Sequence, residues 1–181
     1  MTKTIIVGIT LLITTLHSAD GPQTRLERQI RHELVMLPYY GVFDRLVYSV
    51  NSGKVTLMGE VTRPTLKSSA ENVIKDIEGI RSVENNIKVL PLSPNDDRLR
   101  LALYQAIYGH SALNRYALQA VPSIHIIVDK GNVVLDGVVT NDGDRTIANL
   151  QANSVSGVFA VQNNLQIEGS ETRANQTKRS K

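Results

Sequence analysis

The chain has 181 residues, 41% of them apolar, a formal net charge of +3 and no cysteine. That apolar share is enough to bury one core or two small ones, which excludes a disordered chain. The missing cysteine excludes disulfides, a thiolate nucleophile, cysteine-ligated zinc and the lipid-modified cysteine of a lipoprotein.

Lys3, the apolar run Ile5 to Leu16 and the small or polar Ser18 and Ala19 have the layout of a secretory signal peptide over residues 1–19. Its apolar part is short for a permanent membrane anchor. The alternatives are a buried N-terminal strand or an uncleaved anchor. On the signal reading the mature protein is expected in the periplasm or secreted.

Thr24 and Glu27 have the spacing of a capping box, and Leu26, Ile30 and Leu34 then recur at helical spacing. Alternation at Leu46, Tyr48 and Val50, a turn at Ser52-Gly53, and alternation at Val55, Leu57, Gly59 and Val61 predict a hairpin. Pro64 stands near the start of a second helix with Ala70, Val73 and Ile77 on one face, and Gly79 is expected as its left-handed C′ residue. Val83, Ile87 and Val89 alternate in a last strand. Leu90 to Asn95 holds two prolines and reads as a stiff linker, with residues 93–96 dividing the two halves.

The order then repeats. Asp96 or Asp97 is expected to cap a helix whose inner positions are Leu99, Leu103, Ala106 and Ile107. Ile124, Ile126 and Val128, a Lys130-Gly131 turn, and Val133, Leu135, Gly137 and Val139 give the second hairpin. At one fixed offset of 78, Gly53–Thr62 lies on Gly131–Thr140, Ala70 on Ala148, Gly79 on Gly157, and Val83-Glu84-Asn85-Asn86 on Val161-Gln162-Asn163-Asn164. Arg25-Leu26 matches Arg98-Leu99 at an offset of 73, so the second repeat carries about five extra residues, within Ser111 to Val121.

The fold class this predicts is α+β: two tandem αββαβ two-layer sandwiches, each a three-stranded mixed sheet with two helices. The modules would span residues 24–92 and 97–168, followed by a basic, disordered tail over 169–181. Gly59 and Gly137 fall on the inward side of their strands, where a close helix or a local bulge would call for glycine. They, with Gly79 and Gly157, are structural positions. The paired asparagines are expected to cap or bridge backbone groups at the last strands.

The recurring Gly-initiated turn, V-x-L-x-G-x-V, the helix ending in Gly-Ile or Gly-Val, and V-x-N-N-[IL]-x-[VI] resemble the BON domain, named from bacterial osmotically induced and nodulation proteins. The resemblance covers approximately residues 24–92 and 97–168. It implies an αββαβ fold in exported proteins, attachment to phospholipid membranes in cell-envelope or osmotic-stress roles, and no enzymatic activity. The absent cysteine groups the chain with the soluble members of this two-module kind. The longer helix-to-strand loop of the second repeat departs from the compact pattern.

Residues that could carry chemistry are sparse. His17, His32, His110 and His125 share no ligand-like spacing, so neither a metal nor another cofactor is expected. His125, opposite Ile124 and Ile126, is expected to be exposed. Asn51-Ser52-Gly53-Lys54 looks like a phosphate loop but sits in a hairpin. No serine stands in a nucleophile elbow and no carboxylates pair, so the reading is a binding protein. Removing Lys3 leaves +2 and the tail alone holds +3, so the folded body is near −1 and offers no broad footprint for nucleic acid.

The outer faces of the two opening helices are the candidate contact surfaces. Leu101, Tyr104 and Tyr108 form a second apolar stripe, and Arg28, Arg31 and Val35 a mainly basic one. Arg28, Arg31, Arg98, Leu101, Tyr104 and Tyr108 are therefore candidates for an anionic phospholipid surface. The competing reading packs Leu101, Tyr104 and Tyr108 against the other module or a second chain, and makes the protein an envelope scaffold that binds other proteins. Residues 24–92 carry +2 and residues 93–168 carry −2, a small difference that favours docking between modules and is mostly screened by salt.

Overall fold

The computed structural model describes residues 22–169. The expected signal peptide, the Thr24 side-chain cap and the tail beyond Gly169 lie outside the described residues.

Two sandwiches follow one another. The first runs α1 (Pro22–Val35), β1 (Arg45–Asn51), β2 (Lys54–Val61), α2 (Pro64–Lys75), β3 (Ser82–Asn85) and β4 (Lys88–Val89). The second runs α3 (Pro94–Tyr108), a 3-10 turn (Asn114–Ala117), β5 (Ile124–Asp129), β6 (Asn132–Val139), α4 (Asp142–Asn153) and β7 (Ala160–Ile167). In each sheet the hairpin strands are antiparallel and the last strand lies parallel to the hairpin's second strand, in the orders β1-β2-β3 and β5-β6-β7. The last strand of the first sheet is split, β4 continuing beside β2. Asn86 keeps the ladder across the gap by donating its N–H to the Leu57 carbonyl at 2.8 Å.

Local chemistry explains these elements. Both hairpins turn on two residues of positive φ, Ser52 (50°) with Gly53 (81°) and Lys130 (53°) with Gly131 (77°), the twist that suits a two-residue connection. Ile30, Leu34, Val55, Leu57, Leu66, Ala70 and Ile74 close the first core. Leu99, Leu103, Ile107, Ile126, Val133, Leu135 and Ala148 belong to the second. Each large aliphatic side chain so buried contributes about 1.5–3 kcal/mol.

The structure corrects several sequence expectations. Residues 93–96 are not a linker: Ser93 caps α3 with its hydroxyl accepting the Asp96 N–H at 3.2 Å, and Pro94 opens the first turn. Asp96 is therefore not the cap. Its buried carboxylate accepts the N–H groups of Lys130 and Gly131, both at 2.9 Å, and ties the helix to the β5–β6 turn. Gly79 is not at C′ either, since α2 ends at Lys75 with Asp76 as its cap; it lies in the turn leading to β3, with φ of 92°.

Gly59 and Gly137 answer to a neighbouring strand and not to a helix. Their φ values are 112° and 126°, and a Cβ there would stand 2.0 Å from the carbonyl oxygens of Arg45 and Ser123. The paired asparagines bridge backbone: Asn85 and Asn163 donate to the carbonyls of Lys67 (2.9 Å) and Arg145 (3.0 Å) on the adjacent helices. Each also accepts an N–H two residues on, from Ile87 and Leu165.

The two modules secure one equivalent threonine differently. In the first, Asp44 accepts the Thr62 N–H (2.7 Å) and hydroxyl (2.8 Å) and also the Gly41 N–H (3.2 Å). In the second, the inserted segment delivers Tyr116, whose hydroxyl accepts the Thr140 N–H at 2.9 Å and donates to buried Asp144 at 2.6 Å. Arg115 bonds the same carboxylate. The extra residues thus replace a loop aspartate by a tyrosine clamp.

Candidate binding surfaces and the module junction

At about 100° per residue, Ile30 and Leu34 turn into the core and leave Arg25, Arg28, Arg31, His32, Val35 and Met36 on the outer arc of α1. These six are exposed. Met36 is 66% and Tyr39, just beyond the helix, 72% exposed. The Arg63 guanidinium lies 4.7 Å over the Tyr39 ring. This surface is basic along the helix and apolar at its end. The sequence reading held Arg28, Arg31 and Val35 and missed Met36 and Tyr39, which the same three-to-four-residue spacing reaches if carried past the helix.

On α3, Arg98 is exposed and donates to Asn95 at 2.9 Å, and Leu101 is 61% exposed. The other two candidates turn away from solvent. Tyr108 is only 6% exposed and donates to the Ile124 carbonyl, and burial pushes its hydroxyl well above the ordinary tyrosine value. Tyr104 is half-buried, 4.9 Å from the Tyr108 ring. The cause is non-local. The inserted segment brings Asn114 and Ala117 beside these tyrosines, and the first module presents Phe43 edge-on to Tyr104. Tyr108 is therefore not a contact residue, and Leu101 remains exposed on a stripe otherwise covered.

The segment that covers it, residues 36–44, is the junction between modules. Val42 and Phe43 pack on the second core, and the Val42 carbonyl accepts the Ile126 N–H at 2.8 Å, the one backbone bond between modules among the described residues. Tyr40 stacks on His125 at 5.6 Å, so His125 is not on an open face as expected. Its Nδ1 is closed off from solvent with no partner among the described residues. Burial holds the imidazole below the ordinary histidine value, against the pull of the Asp44 backbone and the Asp136 carboxylate. Burial likewise pushes the Tyr40 hydroxyl up to about 12.

Ion pairs flank this contact: Lys88 to Asp129 at 2.6 Å and Arg45 to Asp136 at 3.9 Å. Ile127, on the sheet face away from its own helices, is 3% exposed and belongs to neither core. The signal for this interface was the run Tyr39-Tyr40-Gly41-Val42-Phe43, too apolar for a solvated loop.

Beside the junction an open groove of about 630 Å³ runs along β1, lined by Arg31, Val35, Tyr48, Asp136, Val138 and Gln166 among others. Among the described residues no three histidine, aspartate or glutamate side chains are grouped to hold a metal ion, and no helix is long and apolar enough to cross a membrane.

Two copies of one small sandwich, each with a buried helix-to-sheet layer and outer surfaces left for contact, define a tandem-module α+β protein. The chain belongs to the BON domain family, a family of binding modules and not of enzymes: the family model matches residues 22–91 and 110–169. The second match begins after α3, the helix whose loop carries the insertion. Among solved structures, the chain is similar to the C-terminal domain of CdsD, the structural protein of the type III secretion system of Chlamydia trachomatis. Identity is 18% over 78% of this chain and 96% of that one, with a TM-score of 0.28. A second CdsD structure is 18% identical over 86% and 98%, with a TM-score of 0.29. No curated protein matches the chain.

Proposed function

We propose that the protein is an exported, non-enzymatic binding module that attaches to phospholipid headgroups and so supports the cell envelope under stress. The observation that carries this reading is the outer face of α1, where exposed Arg25, Arg28 and Arg31 lead into exposed Val35, Met36 and Tyr39. Arginines near an anionic surface contribute roughly 1 kcal/mol each, and a methionine and tyrosine at the helix end can enter the headgroup zone. Arg98 and Leu101 on α3 form a second, smaller contact of the same kind. Family membership supports the reading, since BON domains are associated with phospholipid membranes.

Flotation of the purified protein with vesicles tests it. Vesicles containing anionic lipid should carry the protein up the gradient, more at low salt than at high, and neutral vesicles should carry less. Absence from both vesicle fractions rejects the reading.

The half-apolar groove along β1 favours a second reading, a scaffold that holds another envelope protein there. On that reading Met36→Asp leaves function intact and Val47→Asp, on β1 in the groove, abolishes it.

A further inference from the structure

We propose that the open edge of β1 receives the loop tip Leu118–Val121 of a second copy, so that copies of the chain join head to tail. A second copy in the groove rests on the scaffold reading, whose partner it names, and is independent of lipid attachment.

The two hairpins are one structure built twice. At the offset of 78, β1 and β5 meet their partner strands in the same register: Leu46 opposite Gly59 as Ile124 is opposite Gly137, and Tyr48 opposite Leu57 as Ile126 is opposite Leu135. Each first strand stands at the edge of its sheet. On β5 that edge is covered within the chain, where the Val42 carbonyl accepts the Ile126 N–H at 2.8 Å and Tyr40 stacks on His125. On β1 the corresponding places are Tyr48 and Val47, and both line the open groove of about 630 Å³. By the shared register the Tyr48 N–H points into this groove as the Ile126 N–H points at Val42. An edge strand opening onto a half-apolar groove is a template for one more segment.

The same offset names the occupant. Tyr40 and Val42 correspond to Leu118 and Ala120, in the uncharged stretch Leu118-Gln119-Ala120-Val121 that precedes β5. Ser123 donates its N–H to the Tyr116 carbonyl at 3.4 Å and closes the base of this loop, leaving Leu118, Gln119 and Ala120 exposed at its tip. Leu118 is 86% exposed, and Val47 and its cross-strand partner Met58 are 37% and 38% exposed, so apolar side chains stand open on both sides of the contact. Leu118 seated on Val47 repeats Tyr40 on His125. The Ala120 carbonyl at the Tyr48 N–H repeats the Val42–Ile126 bond.

Within one copy the second module reaches the groove through Asp136, Gly137, Val138 and Gln166 and not through the tip, so the tip meets a groove on another copy. Net charge agrees: +2 on residues 24–92 and −2 on residues 93–168 attract in this pairing and repel where like modules meet. Tip and groove are different surfaces, so every contact leaves one of each free. Association therefore runs past the dimer, into a ring or a filament.

Sedimentation of the purified protein from micromolar to millimolar concentration should show the mean mass climbing past that of a dimer. Leu118→Asp and Val47→Asp should each weaken association by about tenfold or more, since each carries a carboxylate into an apolar contact. Each variant keeps one intact half, so an equimolar mixture of the two should form a one-to-one dimer and grow no further. A parent chain that stays monomeric, growth that ends at a dimer or survives Leu118→Asp, or a mixture that stays monomeric overturns the proposal. A monomeric parent still leaves the groove to a different envelope protein, which the effect of Val47→Asp on function reads separately. Should Val47→Asp fail to fold, the absence of native cysteine allows Leu118→Cys and Val47→Cys to be mixed under oxidation. Disulfides between unlike copies support the proposal, and disulfides between like copies alone reject it.

Discussion

Phe43 meets Tyr104 edge-on with ring centroids 6.3 Å apart, so a side chain of the first module's loop completes an aromatic row, Phe43–Tyr104–Tyr108, that ends inside the second module's core. Through this contact the first module stabilises the second. Phe43→Ala should cost about 1–2 kcal/mol, less than a fully buried phenylalanine because Phe43 is only partly covered. Phe43→Leu should recover more than half of the loss. Urea denaturation followed separately in each module checks this; a change confined to the first module would contradict it.

Asp96 anchors the second module in a pH-dependent way. Burial pushes its carboxyl up, but the Lys130 and Gly131 amides, with Ser93 and Arg100, hold it below the ordinary carboxylate value of about 3.9. A depressed carboxyl contributes stability that is present above the unfolded value and lost as pH falls towards the folded one. Asp144, buried under Tyr116, Thr140 and Arg115, behaves alike. Asp96→Asn should therefore lower stability at pH 7 by about 1–3 kcal/mol and flatten the fall in stability below pH 4, as read from denaturation midpoints against pH.

The glycines separate two kinds of cost. At Gly137 an alanine would carry both a left-handed backbone and a Cβ 2.0 Å from the Ser123 carbonyl, and the backbone cannot yield without breaking the β5–β6 ladder. Gly137→Ala should destabilise by more than about 3 kcal/mol or prevent folding. At Gly79 the same Cβ would meet nothing within 4 Å, so only the positive φ is paid, about 1–2 kcal/mol. Equal effects at the two positions would contradict this account.

The repeat, the hairpins and the inward faces were legible because each depends on residues a few places apart: Val55, Leu57 and Val61 alternate in the sequence as they do in the core. What stayed hidden depends on coverage from far along the chain. Periodicity placed His125 on the face opposite Ile126, and that is correct; no local pattern said that Tyr40, 85 positions earlier, lies over it. Tyr108 fell on an outer stripe by angle alone, and the inserted segment then folded over that stripe. Asp96 had the residue type and position of a helix cap, and only the nearness of the Lys130-Gly131 turn gives its carboxylate another use. The outer face of α1 was legible because the side chains that helical spacing puts there stay exposed in the fold.

That difference between α1 and α3 sets the last prediction, which concerns membrane attachment. If headgroup binding runs through exposed side chains, the loss on substitution must follow exposure and not sequence equivalence. Arg31→Ala removes roughly 1 kcal/mol of attraction to an anionic surface, about a fivefold weaker partition, and Met36→Asp should cost more because it puts a like charge into the headgroup zone. Arg98→Ala should cost less than Arg31→Ala, because α3 offers one basic residue on its outer face where α1 offers three. Tyr108→Phe should leave vesicle binding unchanged while lowering stability by about 1 kcal/mol, since it strips a hydrogen bond from the Ile124 carbonyl and touches no lipid. Vesicle partition and denaturation measured on the same four proteins separate the two effects. A Tyr108→Phe protein that folds normally yet loses vesicle binding would move the contact surface to α3 and overturn the assignment to α1.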